Sequence, residues 1–223
     1  MELLTLSNSK LIKGERKGYM SWVLHLAPAS LSGYEVCVKR TPGCSAACLN
    51  TAGRGKMHAV QRGRVRKTLL YFEQRDEFMA LLVNNIRRGV AQAQRAGMEA
   101  CFRLNGTSDI AWERVRVNGK NVFELFPSVQ FYDYTKILGR KVASYTNYHL
   151  TFSRAENNHK DVERAIAAGM NVAVVFREQP ERYLGLRVVS GDDDDLRFLD
   201  PANVIVGLTA KGRAKKDTTG FVV

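Results

Sequence analysis

The sequence has no run of the ~18 apolar residues that a membrane-crossing helix requires, so no helical membrane anchor is expected. Met1 to Lys13 carries neither a continuous apolar stretch nor a small-residue cleavage site, so no secretory signal is expected either. Cysteine is scarce, four in 223 residues, which excludes a disulfide-built scaffold and fits a reducing cytoplasm. There is no G-x-x-x-x-G-K-[ST] and no G-x-G-x-x-G, so no dedicated phosphate-binding loop is expected. Repeats, low-complexity stretches and linkers are also missing. The chain reads as a single domain over 1–223, with an N-terminal arm at 1–17 and a basic tail at 210–223. Hydrophobic residues make up 45%, enough to bury a core.

Charge of one sign is in excess. Lysine and arginine total 34 against 22 acids, a net +12, a balance common among nucleic-acid binders. Arg54, Lys56, Arg62, Arg64, Arg66 and Lys67 follow one another with no acid between them. A second cluster, Lys211, Arg213, Lys215 and Lys216, closes the chain. A solvated face is the plain explanation of either cluster. Together with the net charge they make Arg54, Lys56, Arg62, Arg64, Arg66, Lys67, Lys211 and Arg213 candidate phosphate contacts. One acidic run, Asp192 to Asp195, opposes them; it reads as a solvated turn, with a divalent-cation site as the alternative.

Three of the four cysteines fall within twelve residues, Cys37, Cys44 and Cys48, at spacing C-x6-C-x3-C. Pro42-Gly43 places a turn before Cys44, which lets the loop fold back and bring the sulfurs toward one point. Three thiolates with a fourth position open suit a zinc ion or an iron–sulfur cluster that binds something else. Three reduced structural cysteines, or one disulfide and a spare thiol, are the alternatives. Cys101 stands apart on a strand with Arg103 and Asn105.

The periodicity alternates between strand and helix. Tyr19–Ala27 reads as a strand with Trp22, Leu24 and Leu26 on one face and Ser21, Val23, His25 and Ala27 on the other, ended by Pro28. His25 on that face is more often a satisfied core histidine than a ligand. Residues 62–96 turn helical, with a break at Arg75-Asp76, Asp76 capping the second helix and Gly97 stopping it. Strands are then expected at 99–105, 129–135, 147–153, 171–176, 186–190 and 204–208, with helical stretches at 110–126 and 158–168. Strands alternating with helices predict an α/β fold, a full or partial (β/α) barrel-like parallel sheet with the cysteine-bearing loop after its first core strand.

Three strands turn a polar face where a parallel sheet should be apolar. Cys101, Arg103 and Asn105 oppose Phe102 and Leu104; Asp133 and Thr135 oppose Tyr132 and Tyr134; His149, Thr151 and Ser153 oppose Tyr148, Leu150 and Phe152. If the apolar faces pack on helices, the polar ones line a shared cavity; an antiparallel sheet wetted on one side gives the same alternation. The loops after these strands, around Asn105 to Asp109, Lys136 and Arg154 to Glu156, then gather with the cysteine loop at the strands' carboxyl ends, where such sheets place ligands. Lys136 and Lys211 are possible anion or substrate contacts there.

The segments Cys37 to Asn50, Arg103 to Asp109 and Phe131 to Lys136, in that order, resemble the gene product 88 family of tailed phages and its shorter relatives. The resemblance runs from about Asn8 to Gly212. The layout is similar to the radical S-adenosylmethionine barrel, where a cysteine loop after the first strand holds a [4Fe-4S] cluster at the barrel mouth. By that likeness Cys37, Cys44 and Cys48 are the cluster or zinc ligands, and Arg103, Asn105, Asp133, Lys136 and His149 the candidate catalytic residues, with Thr135 and Ser153 beside them in the pocket. Those enzymes use C-x3-C-x2-C, and the longer spacing here weighs against S-adenosylmethionine as a cofactor. The expected function is that of a phage protein, in the cytoplasm of the infected cell, with a three-cysteine metal or cluster site, acting on or binding nucleic acid. The alternatives are a non-catalytic nucleic-acid binder of phage replication or host takeover, and an inhibitor that binds a host protein.

Overall fold

The computed structural model describes residues 1–6 and 14–223; the rest of the expected arm, 7–13, lies outside the described residues. Nine strands form one sheet in the order β1-β2-β3-β4-β5-β6-β9-β8-β7. These are β1 Leu4–Thr5, β2 Tyr19–Leu24, β3 Glu99–Arg103, β4 Gln130–Thr135, β5 Tyr148–Ser153, β6 Val172–Phe176, β7 Arg182–Tyr183, β8 Leu186–Ser190 and β9 Ile205–Thr209. All neighbours from β2 through β9 to β8 run parallel; only β1 and β7, at the two edges, are antiparallel. The expected α/β, barrel-like parallel sheet is thus present, but open, a partial barrel with short antiparallel edges.

Most of the helices cover one face. α1 is Pro42–Ala46, α2 His58–Glu73, α3 Arg75–Arg95, α4 Val122–Leu125 and α5 His159–Ala167. The apolar stripe of α3, Phe78, Met79, Leu82 and Ile86, packs with Trp22, Leu24, Phe102 and Phe131 in the largest core cluster. Gly89 lets this helix sit close: a Cβ there would stand 2.9 Å from the Phe102 ring. Val162 and Ala165 of α5 bury Phe152, Val172 and Val174 in a second cluster.

Two local expectations need correction. The break between α2 and α3 falls at Gln74, the N-cap of α3, which makes no side-chain capping bond; Asp76 lies inside the first turn, where a carboxylate is stabilised by the positive end of the helix dipole, rather than at the cap. The 110–126 stretch is mostly not helical. Asn118 and Gly119 take positive φ (49° and 81°) in a tight turn between the bridged Val117 and Lys120, and only α4 follows, opened by an Asn121–Glu124 capping box.

The other face of the sheet is filled by the chain itself. After β8 the acidic run turns inward: Asp194 and Asp195 are buried, Leu196 packs on Cys101 and Tyr132, and the Phe198 ring lies against Tyr19 and Tyr132. Asp194 and Asp195 are therefore not a solvated turn. Each pairs with a cation, Asp195 with Arg103 at 2.8 Å and Asp194 with Lys17 and Arg197. This 191–200 segment is a plug in the concave side of the partial barrel. The tail returns to the sheet as well. Val222 bridges Val175 in parallel, beside the part of β6 that β5 leaves open by ending at Ser153.

Candidate functional site

A cavity of about 440 Å3 opens above the plug, at the carboxyl ends of the parallel strands. Cys37, Cys44 and Cys48 line its wall, so the cysteine loop folds back over the strand ends as its Pro42-Gly43 turn suggested. Local hydrogen bonds fix that loop. Thr41 caps α1, accepting from the Cys44 N–H at 3.1 Å, while its hydroxyl donates to Glu156 at 2.6 Å. The other Glu156 oxygen accepts from Gly43 N–H at 2.7 Å. Against partial burial, these bonds hold the Glu156 carboxyl below its ordinary range.

Cys37 directs its thiol at the Thr107 carbonyl, 3.7 Å away. Burial pushes its thiol up to about 11, and the neighbouring Cys48, Cys44 and Asp109 add to the rise. Burial likewise raises Cys48, with Cys44 contributing. The three sulfurs are near enough to feel each other's charge. Among the described residues, however, no three His, Cys, Asp or Glu side chains stand together in a metal-holding group. The donor chemistry, three thiols on one wall, fits zinc or an iron–sulfur cluster; ligation requires the loop to draw in further.

The floor of the cavity is the Arg103–Asp195 pair, with the guanidinium 4.6 Å from the Tyr134 ring centroid. Asp195 holds Arg103 charged against its burial. His25 faces the same space under Gly106, where a Cβ would stand 2.5 Å from its Nδ1. Burial, then Arg64, Arg103 and Lys67, lower His25 to about 3, so it is neutral. At the rim, Asp109 accepts from the Thr135 hydroxyl and the Lys136 backbone N–H, both at 2.8 Å.

The candidate catalytic residues divide. Arg103, Asn105 and Lys136 line the cavity. The Asn105 side chain is consumed by its own loop: its oxygen accepts from Ser108, Ile110 N–H and Trp112 Nε1, and its nitrogen donates to Ile110. It is a positioning residue. Asp133 and His149 do not line the cavity. Parallel pairing sets Asp133 beside Leu150, on the helix-covered face, where it is fully buried and bonded to Asn105 and Tyr148. The face of β4 that turns to the concave side carries Tyr132 and Tyr134 instead. His149 pairs with Tyr132 at the lower end of that face, and burial, then Arg197 of the plug, lower its pKa. Ser153 and Thr135 do reach the cavity. Sequence reasoning gave Tyr134 no role and placed Asp195 only in a solvated turn or a divalent-cation site, because a tyrosine reads as core and an acidic run as solvated.

The basic candidates sort by exposure. Arg54, Lys56, Arg62, Arg66 and Arg213 are exposed. Arg64 is tied to Asn50, and Lys67 to the Leu3 carbonyl, with burial and then Arg64 lowering the Lys67 ammonium to about 8. Lys211 pairs with Asp192 at 2.7 Å at the cavity wall. The second cluster comes close to the segment that precedes the first: a Cβ on Gly212 would stand 2.9 Å from Ala52, two residues before Arg54. No helix among the described residues is long and apolar enough to cross a membrane.

Fold and site define an open-barrel α/β protein with a cysteine-lined cavity at its strand ends. The gene product 88 family model matches residues 2–223, and the chain belongs to that family. No curated protein and no solved structure matches it.

Proposed function

We propose that this is a phage protein that holds an iron–sulfur cluster or a zinc ion through Cys37, Cys44 and Cys48 and acts on or binds nucleic acid. The observation that carries the reading is the convergence of these three cysteines on one cavity at the carboxyl ends of a parallel sheet. Burial first, with the neighbouring sulfurs adding to it, keeps the Cys37 and Cys48 thiols protonated; a bound cation would release their protons and draw the loop in. When bound, such a group supplies a Lewis-acidic or redox-active centre with an open position toward the cavity. The chain's own residues then shape what meets it. Arg103, fixed by Asp195, sets an ion-paired floor, neutral His25 offers an uncharged nitrogen, and Lys136 stands at the rim.

The nucleic-acid half of the reading is supported by the exposed Arg54, Lys56 and Arg213, on segments that approach each other at Ala52 and Gly212. It also supports a second reading, a nucleic-acid binder without catalysis, in which the cysteines are structural. Anaerobic purification followed by an absorption spectrum and iron and zinc analysis separates the two. Iron with a broad band near ~400 nm supports the cluster, and stoichiometric zinc alone supports the zinc site. Neither metal after anaerobic purification leaves the binder, whose affinity for nucleic acid should then fall steeply with salt.

A further inference from the structure

Most charges around the cavity are paired. Arg103 has Asp195, Lys211 has Asp192, and Arg40 has Glu35, all within 2.8 Å. Asp109 is taken up by Thr135 and the Lys136 backbone, with Arg140 at 3.9 Å. Two cations on the wall are different. Arg154 is only 6% exposed, yet among the described residues it meets no carboxylate. Its guanidinium donates to the Gly220 and Phe221 carbonyls at 2.7 and 2.9 Å, and its Nε is buried with no partner. The Lys136 ammonium likewise forms no ion pair among the described residues; it stands 6.0 Å from the centroid of the Phe221 ring, and Asp109, which feels its charge, is already held by Thr135 and the Lys136 backbone. A buried, uncompensated charge is costly unless an anion joins it.

Lys136 and Arg154 directly follow β4 and β5, which are adjacent and paired at Thr135 and Phe152. Both line the cavity. Two unpaired cations on neighbouring strand ends match one dianion better than a carboxylate. A phosphate monoester carries nearly two charges at neutral pH and accepts the flat fork of an arginine. The space, about 440 Å3, lies within the range of small-ligand sites. Apolar wall is present too, in Val175, Leu208 and Phe221, for an uncharged ring.

We propose that the cavity binds a nucleotide through its terminal phosphate, held between Lys136 and Arg154. This rests on the nucleic-acid reading above for the choice of nucleotide as carrier, and not on the metal. The site serves a free mononucleotide or a phosphorylated strand end by the same chemistry.

The test is calorimetric titration of the full chain with adenosine 5′-monophosphate and, separately, with adenosine. The monophosphate is expected to bind at least ten-fold more tightly. Lys136→Met, which removes no side-chain hydrogen bond among the described residues, is expected to erase that preference while leaving adenosine unchanged; Arg154→Lys, which keeps a donor for the tail, should weaken the monophosphate by a smaller factor. Equal binding of the two ligands, no binding of either, or an unaffected Lys136→Met protein overturns the proposal. Repeating the titration on Cys44→Ser protein reads the phosphate site with the metal site disabled, so a failed metal assignment and a failed phosphate assignment are told apart. A 5′-phosphorylated oligonucleotide that binds more tightly than the mononucleotide assigns the site to strand ends; the reverse order assigns it to free nucleotide.

Discussion

Asn105 and Asp133 are joined twice: the Asn105 backbone N–H donates to one carboxylate oxygen of Asp133 at 2.7 Å, and its side-chain amide donates to the other at 3.3 Å. The rest of the Asn105 amide organises the loop that carries Thr107, Ser108 and Asp109 to the cavity. One short side chain thereby couples the helix-covered core to the rim. Asn105→Ala strips the acceptor from Trp112 Nε1, Ser108 Oγ and the Ile110 N–H. Each buried donor left unsatisfied costs about 1–3 kcal/mol, so a loss of roughly 3 kcal/mol or more is expected in urea denaturation. A loss below about 1 kcal/mol would mean that the loop finds other partners.

Asp133 has a pH signature of its own. Complete burial lifts it to about 7, with Arg103 and the Asn105 N–H opposing the rise. An unfolded aspartate titrates near ~3.9. Between those values the folded chain binds a proton that the unfolded chain does not, so this group's contribution falls as pH rises from about 4 to about 7. Asp133→Asn lacks that slope. The stability difference, wild type minus variant, should therefore shrink between pH 5 and pH 8 in urea titrations; a constant difference would place Asp133 at an ordinary pKa.

His25 works in the opposite sense. Burial first, then Arg64, Arg103 and Lys67, lower it to about 3, against ~6.5 in an unfolded chain. Over that window the unfolded state takes up the proton, so stability is lost as pH falls from about 6.5 toward about 3. His25→Gln should flatten the acid limb of the stability profile. An unchanged acid limb in the variant would show that other groups set it.

The plug makes a sharper demand. Arg103 and Asp195 are both largely buried, at 13% and 8% side-chain exposure. Asp195→Ala leaves an arginine without its counter-charge, at a cost of about 3–5 kcal/mol. Asp193→Ala, two residues away and exposed, should stay within ~0.5 kcal/mol. Equal effects of the two in urea denaturation would show that the acidic run is solvated in solution, as its composition suggests.

How much of this the sequence carries depends on which residues fill each face. In β2 and β3 the two faces differ plainly: Trp22, Leu24, Phe102 and Leu104 go to the helices, and Val23, His25, Cys101 and Arg103 to the concave side. Parity alone places them correctly. In β4 parity misleads, because both faces are mixed. Tyr132 and Tyr134 look like core, yet they turn inward, Tyr132 to share a hydrogen bond with Ser21 at 2.7 Å, while Asp133 sinks among apolar neighbours because Asn105 and Tyr148 satisfy it. Those partners are distant in sequence and carry no local signal. The same holds for the plug, whose acids are buried only because Arg103, Lys17 and Arg197 are already waiting. The cysteine loop was legible because its turn and its sulfurs lie within a dozen residues.

The plug also divides the four cysteines. Cys101 has no exposed surface, packs on Tyr132 and Leu196, and is pushed by burial up to about 12. Cys37, Cys44 and Cys48 all retain some exposure at the cavity wall. Attack on an alkylating reagent needs both thiolate and access; burial raises Cys37 and Cys48 as well, so what sets Cys101 apart is that it has no access. Native metal-free protein should thus react with iodoacetamide at three cysteines, identified by peptide mass mapping, and at Cys101 only once denaturant is added. Asp195→Ala, which loosens the plug without touching a thiol, should bring Cys101 labelling forward to lower denaturant. If Cys101 reacts in native protein as fast as the other three, the 191–200 segment does not seal the concave face, and the cavity extends down to Tyr132.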